Sequence, residues 1–358
     1  MSYPVTVQPA SAQPSEPAQL PSPPESRAWL ARVLRDRIVQ IGIAAWVLFA
    51  VSIPFLARGT VPFDQPDLAG VRYSLRVWAE ILEPLYSLIL LAVIFALTQG
   101  RSVDVGTRTP ERAVARRETF AVLVYGAIVL IAGQFVGRWV GVHGLGLHLS
   151  GSMFGLSEPV SPREVYAWSI YNFVFYAALP YWFFRRRGYS NEQLCLRSSN
   201  LRNDILVIVG ILGIGLAGDL RRNAIWTLSG HQLAVGSALA FTASLFGTGL
   251  PIMIFLTSIL IPRYKKLTGS TAATVVLGGF TYAALHLSEY WTRYDSFAHG
   301  ALSFVFIMLL FGGPGMVKSY LTQRTGNAWV HLWGYHAIWP HVSDDTGIFV
   351  TIFRITGR

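Results

Sequence analysis

Residues 250–291, LPIMIFLTSILIPRYKKLTGSTAATVVLGGFTYAALHLSEYW, carry the pattern that decides the fold of this chain. Two apolar runs, at 233–262 and 270–288, are separated by a short basic stretch and a loop containing TGS. Apolar runs of about 20 residues are long enough to cross the hydrocarbon core of a bilayer as helices. Because a spanning segment must satisfy its own backbone hydrogen bonds, the expected structure is helical.

The composition of the whole chain also indicates a membrane protein. Of its 358 residues, 52% are hydrophobic and only 13% are charged, and the mean hydropathy is +0.43. The formal net charge of +10 does not indicate a nucleic-acid partner. The basic residues cluster in alternate loops, as is typical of a surface that faces anionic lipid. The single cysteine, Cys195, excludes an intrachain disulfide.

The apolar segments predict an all-α fold, a polytopic transmembrane bundle with about eight to nine spans. They lie at 38–57, 78–98, 119–140, 165–184, 205–218, 233–262, 270–288, 297–313 and 327–341. Gly247, Gly249 and Pro251 predict a kink or a division in the long 233–262 segment. The GGPG run at 312–315 predicts a helix break rather than a phosphate-binding loop.

Four regions follow from this pattern. They are a disordered Pro/Ser-rich cytoplasmic tail (1–26), an interfacial helix with four transmembrane helices (27–184), a second transmembrane region (185–341) and a C-terminal tail (342–358). Basic residues concentrate in the loop at 99–118 and directly after the fourth span. Since cytoplasmic loops carry the excess of Lys and Arg, we predict a multi-pass protein of the bacterial inner membrane with a cytoplasmic N-terminus.

Three stretches of the second transmembrane region resemble the CAAX-protease and bacteriocin-processing family (CPBP, or Abi) of intramembrane endopeptidases. RRRGYSNEQLCLRSSNLRNDILVIVGI at 185–211 resembles the segment that opens the family core. IPRYKKLTGS at 261–270 and YAALH at 282–286 follow the order of the family's PR, TGS and Phe-x-x-x-His elements. QRTGNAWVHLWGYHAIWPH at 323–341 resembles its closing helix. The resemblance implies a CPBP-like core and hydrolysis of peptide bonds in membrane substrates.

One motif of this family is lost. Alignment on the PR dipeptide at 262–263 places Ile252 and Met253 where the Glu-Glu-x-x-x-Arg motif has its glutamates. In the family these glutamates are taken to activate water, and a general base of this kind requires a carboxylate. The histidine of the second motif is retained as His286, and the closing histidine position falls on Tyr335 by strict spacing or on His336 after a shift of one residue.

Glu289 is the carboxylate that could replace the lost pair. On a helix Tyr282, His286 and Glu289 share one face, because they are four and three residues apart. We therefore predict a catalytic site of His286, Glu289 and His336, with Glu289 as base and the histidines as polarising groups. The same three side chains could hold a divalent metal with one position open, as catalytic zinc prefers. In the alternative interpretation His286 is hydrogen-bonded inside the bundle and Glu289 lies at the aqueous rim.

The other ionisable residues give weaker patterns. His331, His336 and His341 are spaced five residues apart, so on a helix they would point in different directions and would not form one stripe. The tryptophans beside them favour an aromatic belt at the membrane interface. The acidic pair at 344–345 predicts a solvated loop. His148, in a Gly-rich external loop, gives no functional pattern.

Three classes of function remain open. The chain is a non-canonical membrane peptidase, or a pseudoprotease that keeps the cavity as a binding or immunity module, or a transporter or lipid-handling protein unrelated to proteolysis. A transporter would need a polar path lined by Glu80, Glu83 or His286. The expected partners are the lipid bilayer and, for a peptidase, a membrane-associated peptide or protein, with no nucleic acid.

Overall fold

The computed structural model describes residues 26–101, 103–219 and 224–357, and the regular structure of this part is entirely helical. Except for its last residue, the predicted tail at 1–26 lies outside the described residues. The helices, named here in chain order, are α1 (Ser26–Arg35), α2 (Arg37–Ala57), α3 (Tyr73–Leu97), α4 (Arg112–Trp139), α5 (162–186), α6 (Leu201–Asp219), α7 (Gly230–Thr268), α8 (Thr271–Ala284), α9 (Phe297–Thr325), α10 (328–336) and α11 (His341–Ile352). Short 3-10 turns occur at Pro66–Leu68, Val105–Arg108 and Ala224–Thr227.

Within the described residues, five helices are long and apolar enough to cross a membrane, namely α2, α3, α4, α7 and α9. The outermost of them leave large apolar side chains exposed, such as Ile41, Leu48 and Phe55 on α2. Continuous apolar exposure of this kind is unfavourable in water and is expected where a helix faces lipid. The predictions of an all-α protein and of a lipid bilayer as its environment are confirmed at this level.

Helix α7 forms the core of the bundle and is continuous over its 39 residues. It is not divided at Gly247, Gly249 or Pro251. The disturbance predicted there takes the form of wide π-type turns at Leu245–Gly249 and Met253–Leu260. Pro251 lacks an N–H and crowds the carbonyl group four residues earlier, and a wider turn relieves that conflict without ending the helix.

The predicted helix break in the GGPG run at 312–315 is wrong, since α9 continues through it. Gly313 and Gly315 serve close helix packing instead. A Cβ on Gly315 would lie 2.6 Å from the Cβ of Tyr282 and 2.9 Å from the Cα of Gly279. A Cβ on Gly313 would lie 2.2 Å from the Oγ of Ser87. The run therefore lets α8 and α3 approach α9 at near-backbone contact.

A polar network fixes the start of α10. The Asn327 side chain accepts from the Trp329 N–H (3.2 Å) and donates to Asp204 Oδ2 (2.8 Å). Arg101 donates to Asp204 Oδ1 (2.5 Å). The network joins the loop after α3 and the first turn of α6 to α10, and so it sets the direction in which α10 enters the bundle.

Most of the predicted C-terminal tail forms α11, which packs against the first half of α7. Ser237 on α7 and Thr346 on α11 form a hydroxyl–hydroxyl hydrogen bond of 3.2 Å. A Cβ on Gly236 would lie 2.7 Å from Val350. Asp345 is buried in this helix, so the prediction of a solvated loop at 344–345 is wrong.

Candidate functional site: a buried histidine and glutamate cluster

His286 lies just beyond the end of α8, deep in the bundle. The chain turns there, with the His286 N–H donating to Ala283 O (2.9 Å). The Nδ1–H of His286 donates to the carbonyl oxygen of Tyr282 (2.6 Å), and the ring stacks on Phe311 with centroids 3.8 Å apart. These contacts hold the ring in place and leave Nε2 buried, with no hydrogen-bond partner among the described residues.

Glu289 belongs to the same series of turns. Its N–H donates to the carbonyl oxygen of His286 (3.1 Å), and its own carbonyl oxygen accepts from the Thr292 hydroxyl (2.6 Å). Only 4% of its surface is exposed. The alternative that Glu289 lies at the aqueous rim is therefore wrong.

His148 reaches the same point from the loop between α4 and α5. Three side chains hold the backbone directly before it, since the Trp168 indole N–H (3.1 Å), the Asn172 amide (3.2 Å) and the Thr248 hydroxyl (3.1 Å) all donate to Leu147 O. Trp168 and Asn172 lie on α5 and Thr248 lies on α7. Two helices thus place a loop histidine inside the bundle, where it is 6% exposed.

The three side chains converge. One ligand atom from each of His148, His286 and Glu289 lies within 4.8 Å of the other two. His148 Nδ1 and Glu289 Oε1 are 3.2 Å apart, but they are not aligned as a hydrogen bond, and neither atom has another partner in the described part of the chain. In a tetrahedral site with bonds of about 2.0–2.2 Å, two neighbouring ligand atoms lie roughly as far apart as His148 Nδ1 and Glu289 Oε1 do here. Two imidazoles and a carboxylate are also the ligand types that zinc takes in catalytic sites.

A second set of polar groups supports the cluster from α11. The His341 ring lies 5.4 Å from the His148 ring, and its Nδ1–H donates to Asp345 Oδ2 (3.0 Å). Asp345 Oδ1 accepts from the Ser152 hydroxyl (2.8 Å), which ties α11 to the loop that carries His148. Nε2 of His341 is buried and has no hydrogen-bond partner within the described ranges, so it is a further free nitrogen beside the three atoms of the cluster.

His336, the third predicted site residue, lies in the next layer and not at the point of convergence. Its ring centroid is 5.1 Å from that of His341 and 6.2 Å from that of Tyr282. Both of its ring nitrogens are buried and have no hydrogen-bond partner in the residues that the structure describes. His331 lies 5.6 Å further along, and all three histidines of 331–341 are buried. The prediction that they form an interfacial belt is wrong, because the network at Asn327 turns α10 into the bundle.

A buried lysine borders the cluster. The ammonium group of Lys318, on α9, lies 4.1 Å from the ring centroid of Tyr282 and 4.6 Å from that of Tyr335. Cation–π contact is one way to stabilise a desolvated ammonium group. In its protonated form this group would stabilise negative charge that develops beside Tyr282. The sequence analysis did not identify Lys318.

The position of the lost glutamate motif is apolar. Ile252 and Met253 are buried in the core of the bundle, at 1% and 2% exposure, and Thr257 donates to Met253 O (2.8 Å). Arg263 instead pairs with a carboxylate from another helix, since its Nη2 and Nε donate to Glu118 Oε2 (2.7 and 3.0 Å). The structure therefore gives the chain a buried carboxylate beside His286 and none at 252–253.

His148 is the functional candidate that the sequence analysis missed. One signal was available, because Leu145, Leu147 and Leu149 alternate around it and all three are buried. Alternation of this kind places the leucines on one face of an extended segment and His148 on the other, and in the structure both faces are buried. The leucines point to a buried loop but do not say that His148 meets residues 286–289.

No protein-family model, curated protein or solved structure matches this chain. The likeness to the CPBP family rests on the sequence stretches alone.

Proposed function

We propose that the chain is a membrane-embedded, metal-dependent hydrolase that acts on a peptide bond of a membrane-associated substrate. The observation that carries this proposal is the buried convergence of His148, His286 and Glu289. A divalent cation bound there would supply a water molecule of lowered pKa and would polarise a carbonyl group. With three protein ligands, one coordination position stays open for that water or for substrate.

The residues around this point suit these roles. The Tyr282 carbonyl oxygen holds the proton of His286 on Nδ1 and leaves Nε2 as the ligand atom. Glu289 supplies the single negative charge of the set, and its second oxygen can take a proton from the attacking water. His336, predicted as a polarising residue, keeps both nitrogens available for a substrate group in the adjoining layer.

The peptide bond as substrate comes from the CPBP resemblance. In this proposal residues 185–341 keep the family arrangement but move the carboxylate from 252–253 to Glu289. The observation that Ile252 and Met253 are apolar and packed supports a second candidate, a pseudoprotease that uses the same interior for binding only. The two candidates differ in turnover and not in architecture. A transporter or lipid-handling protein is the alternative of another class.

We propose eight to nine membrane crossings with the N-terminus in the cytoplasm of a bacterial cell and the bundle in its inner membrane. Basic segments gather at one end of the bundle, which supports this orientation. Arg112, which begins α4, donates to Leu267 O at the end of α7 (2.9 Å). Arg108, in the preceding loop, donates to Gly326 O after α9 (2.6 Å). By the excess of Lys and Arg, this end is the cytoplasmic one.

The first test is the metal content of the full-length protein, purified in detergent without chelator. We expect about one zinc-class ion per chain by elemental analysis in the parent protein. His286→Ala and His148→Ala should lose it. His143→Ala is the matched control, because His143 lies in the same loop and pairs with Glu158 and Glu164 outside the cluster. Metal retained equally by all variants, or absent from the parent after growth in zinc, would contradict the proposal.

The second test separates a hydrolase from a pseudoprotease. Single-span peptides are reconstituted with the protein in nanodiscs, and cleavage is followed by mass spectrometry. A hydrolase should lose at least about 10²-fold in rate on Glu289→Gln, since general-base contributions are of that size. Metal binding without cleavage of any peptide would support the pseudoprotease and rule out the hydrolase on those substrates.

A further inference from the structure

A cavity lies at the opposite end of α4 from His148 and shares no residue with the histidine cluster. It has a volume of about 600 Å³ and is formed between the first half of α4, the end of α5 and one side chain of α7. Its lining is mostly apolar or aromatic and includes Val122, Leu179, Pro180, Phe184 and Phe255. The neighbouring outer faces are apolar and exposed, so the cavity opens toward the lipid-facing side of the bundle.

The depth of this cavity offers little hydrogen bonding. The Tyr125 hydroxyl, which lines it, donates to the carbonyl oxygen of Phe175 (2.6 Å). The Tyr176 hydroxyl behind it contacts Gly126 O (3.4 Å). A bound peptide would need partners for its backbone N–H and C=O groups at this depth, whereas an acyl chain needs none. The interior therefore favours a hydrocarbon chain.

The mouth of the cavity is positively charged. Arg117, in the second turn of α4, and Arg187, directly after α5, both line it. The carboxylate of Glu118 beside them does not cancel this charge, because it accepts from Arg263 (2.7 Å) and from the Tyr189 hydroxyl (2.8 Å). Arg187 approaches Glu118 at 3.4 Å but keeps 49% of its side chain exposed. Arg263 and Arg187 thus share one carboxylate, and Arg117 adds a further guanidinium group at the mouth.

We propose that this cavity binds one anionic phospholipid, with its phosphate at Arg117 and Arg187 and one acyl chain between α4 and α5. Charge complementarity identifies the headgroup, and the apolar interior identifies the chain. Both arginines lie at the basic end of the bundle, at the level where a helix meets the headgroups. The cytoplasmic leaflet carries the anionic lipids, and juxtamembrane basic residues are attracted to it. The proposal does not depend on the hydrolase.

The test uses the full-length protein released from detergent and measured by native mass spectrometry with added phosphatidylglycerol or phosphatidylcholine of the same acyl chains. We expect one phosphatidylglycerol to be retained in preference to phosphatidylcholine. Arg117→Gln should weaken retention about fivefold, the factor expected for one cation near an anionic lipid. Arg116→Gln is the matched control. Arg116 is the neighbouring residue, is exposed and does not line the cavity, so this variant removes the same charge outside the site.

A second pair of variants tests the apolar part. Ala121→Trp should fill the cavity and abolish retention with the arginines intact, whereas Ala127→Trp, exposed on the same helix but outside the cavity, should not. Thermal unfolding and size-exclusion elution report that each variant is folded. Equal effects of Arg116→Gln and Arg117→Gln, or no effect of Ala121→Trp, would overturn the proposal. Displacement of the lipid by a single-span peptide would identify a peptide site and would also overturn it.

Discussion

At the level of single residues, the chemistry of the cluster depends on which ring nitrogen of each histidine is free. The Nδ1–H of His286 donates to a backbone carbonyl group and that of His341 donates to Asp345, so each ring has Nε2 free to bind a ligand. Metal-binding histidines in proteins are held in this way, with the second nitrogen bonded to a carbonyl or a carboxylate group. The arrangement orients the rings before any ligand binds.

Asp345→Asn should weaken metal binding by about 10-fold at most, the low end of the effect of changing a group that orients a liganding histidine, because His341 borders the three proposed ligands and is not one of them. The amide removes the charge that holds His341 beside the cluster and also changes the contact with Ser152. Competition against a fluorescent chelator measures the affinity. Asp295→Asn is the control, because Asp295 forms the same i, i+4 pair with His299 but is exposed. Equal affinity of the parent and Asp345→Asn would show that His341 does not contribute.

The loop that carries His148 should become less stable as pH rises. Burial alone lowers the pKa of His143, but the hydrogen bonds and charges of Glu158 and Glu164 outweigh it, and the net pKa is raised. The protonated ring therefore stabilises the loop fully below its unfolded pKa near 6.5. This contribution is lost as pH rises through the higher folded pKa. Hydrogen exchange at 140–150, corrected for intrinsic rates, should quicken across that window, and His143→Gln should remove the change.

The pairing of His286 with Glu289 could be predicted from the sequence because it is local. Residues three apart in sequence lie within about one turn of each other, so His286 and Glu289 stay close even though α8 ends at Ala284. His148 could not be predicted, since it meets Glu289 only after Trp168, Asn172 and Thr248 fix its loop. His336 was placed one layer too close, because the direction of α10 is set by contacts distant in sequence.

At the level of helices, glycine and proline gave a less reliable signal than in soluble proteins. Pro314 and its three glycines lie inside α9, where a break was predicted. Small residues let membrane helices approach closely, and this gain in packing exceeds their weak helix propensity. The apolar runs located most helical segments correctly, but glycine and proline within them could not show whether the helix ends there or packs closely against a neighbour.

Gly315→Ala should destabilise the bundle by about 1–3 kcal/mol, because its methyl group would be forced against Tyr282 and Gly279. The neighbouring Gly312→Ala serves as control, since nothing lies within 4 Å of a Cβ there. That variant should be neutral or slightly stabilising, as alanine is the better helix former. Denaturant titration in detergent micelles measures the difference. A smaller loss for Gly315→Ala than for Gly312→Ala would contradict close packing as the reason for this glycine.

At the level of the whole molecule, two sites lie at opposite ends of α4. The histidine cluster is reached from the loop that follows α4, and the arginine-lined cavity lies beside its first turns. Composition and apolar runs predict the membrane class because they need no tertiary information. The number of crossings does not follow in the same way, since within the described residues only five helices meet length and hydropathy requirements together. Helices such as α5, α6 and α8 reach the bundle interior through packing.

The orientation of the chain can be tested with single cysteines, because the native Cys195 is fully buried and should give little background labelling. Thr107→Cys lies in the basic loop before α4, and Ser157→Cys lies in the loop after it, and both positions are exposed. A cytoplasmic N-terminus places residue 107 inside and residue 157 outside. An impermeant maleimide should therefore label Ser157→Cys in intact spheroplasts and Thr107→Cys only after permeabilisation. The reverse pattern would put the arginine-lined cavity in the outer leaflet, away from the anionic lipids that the proposed site requires.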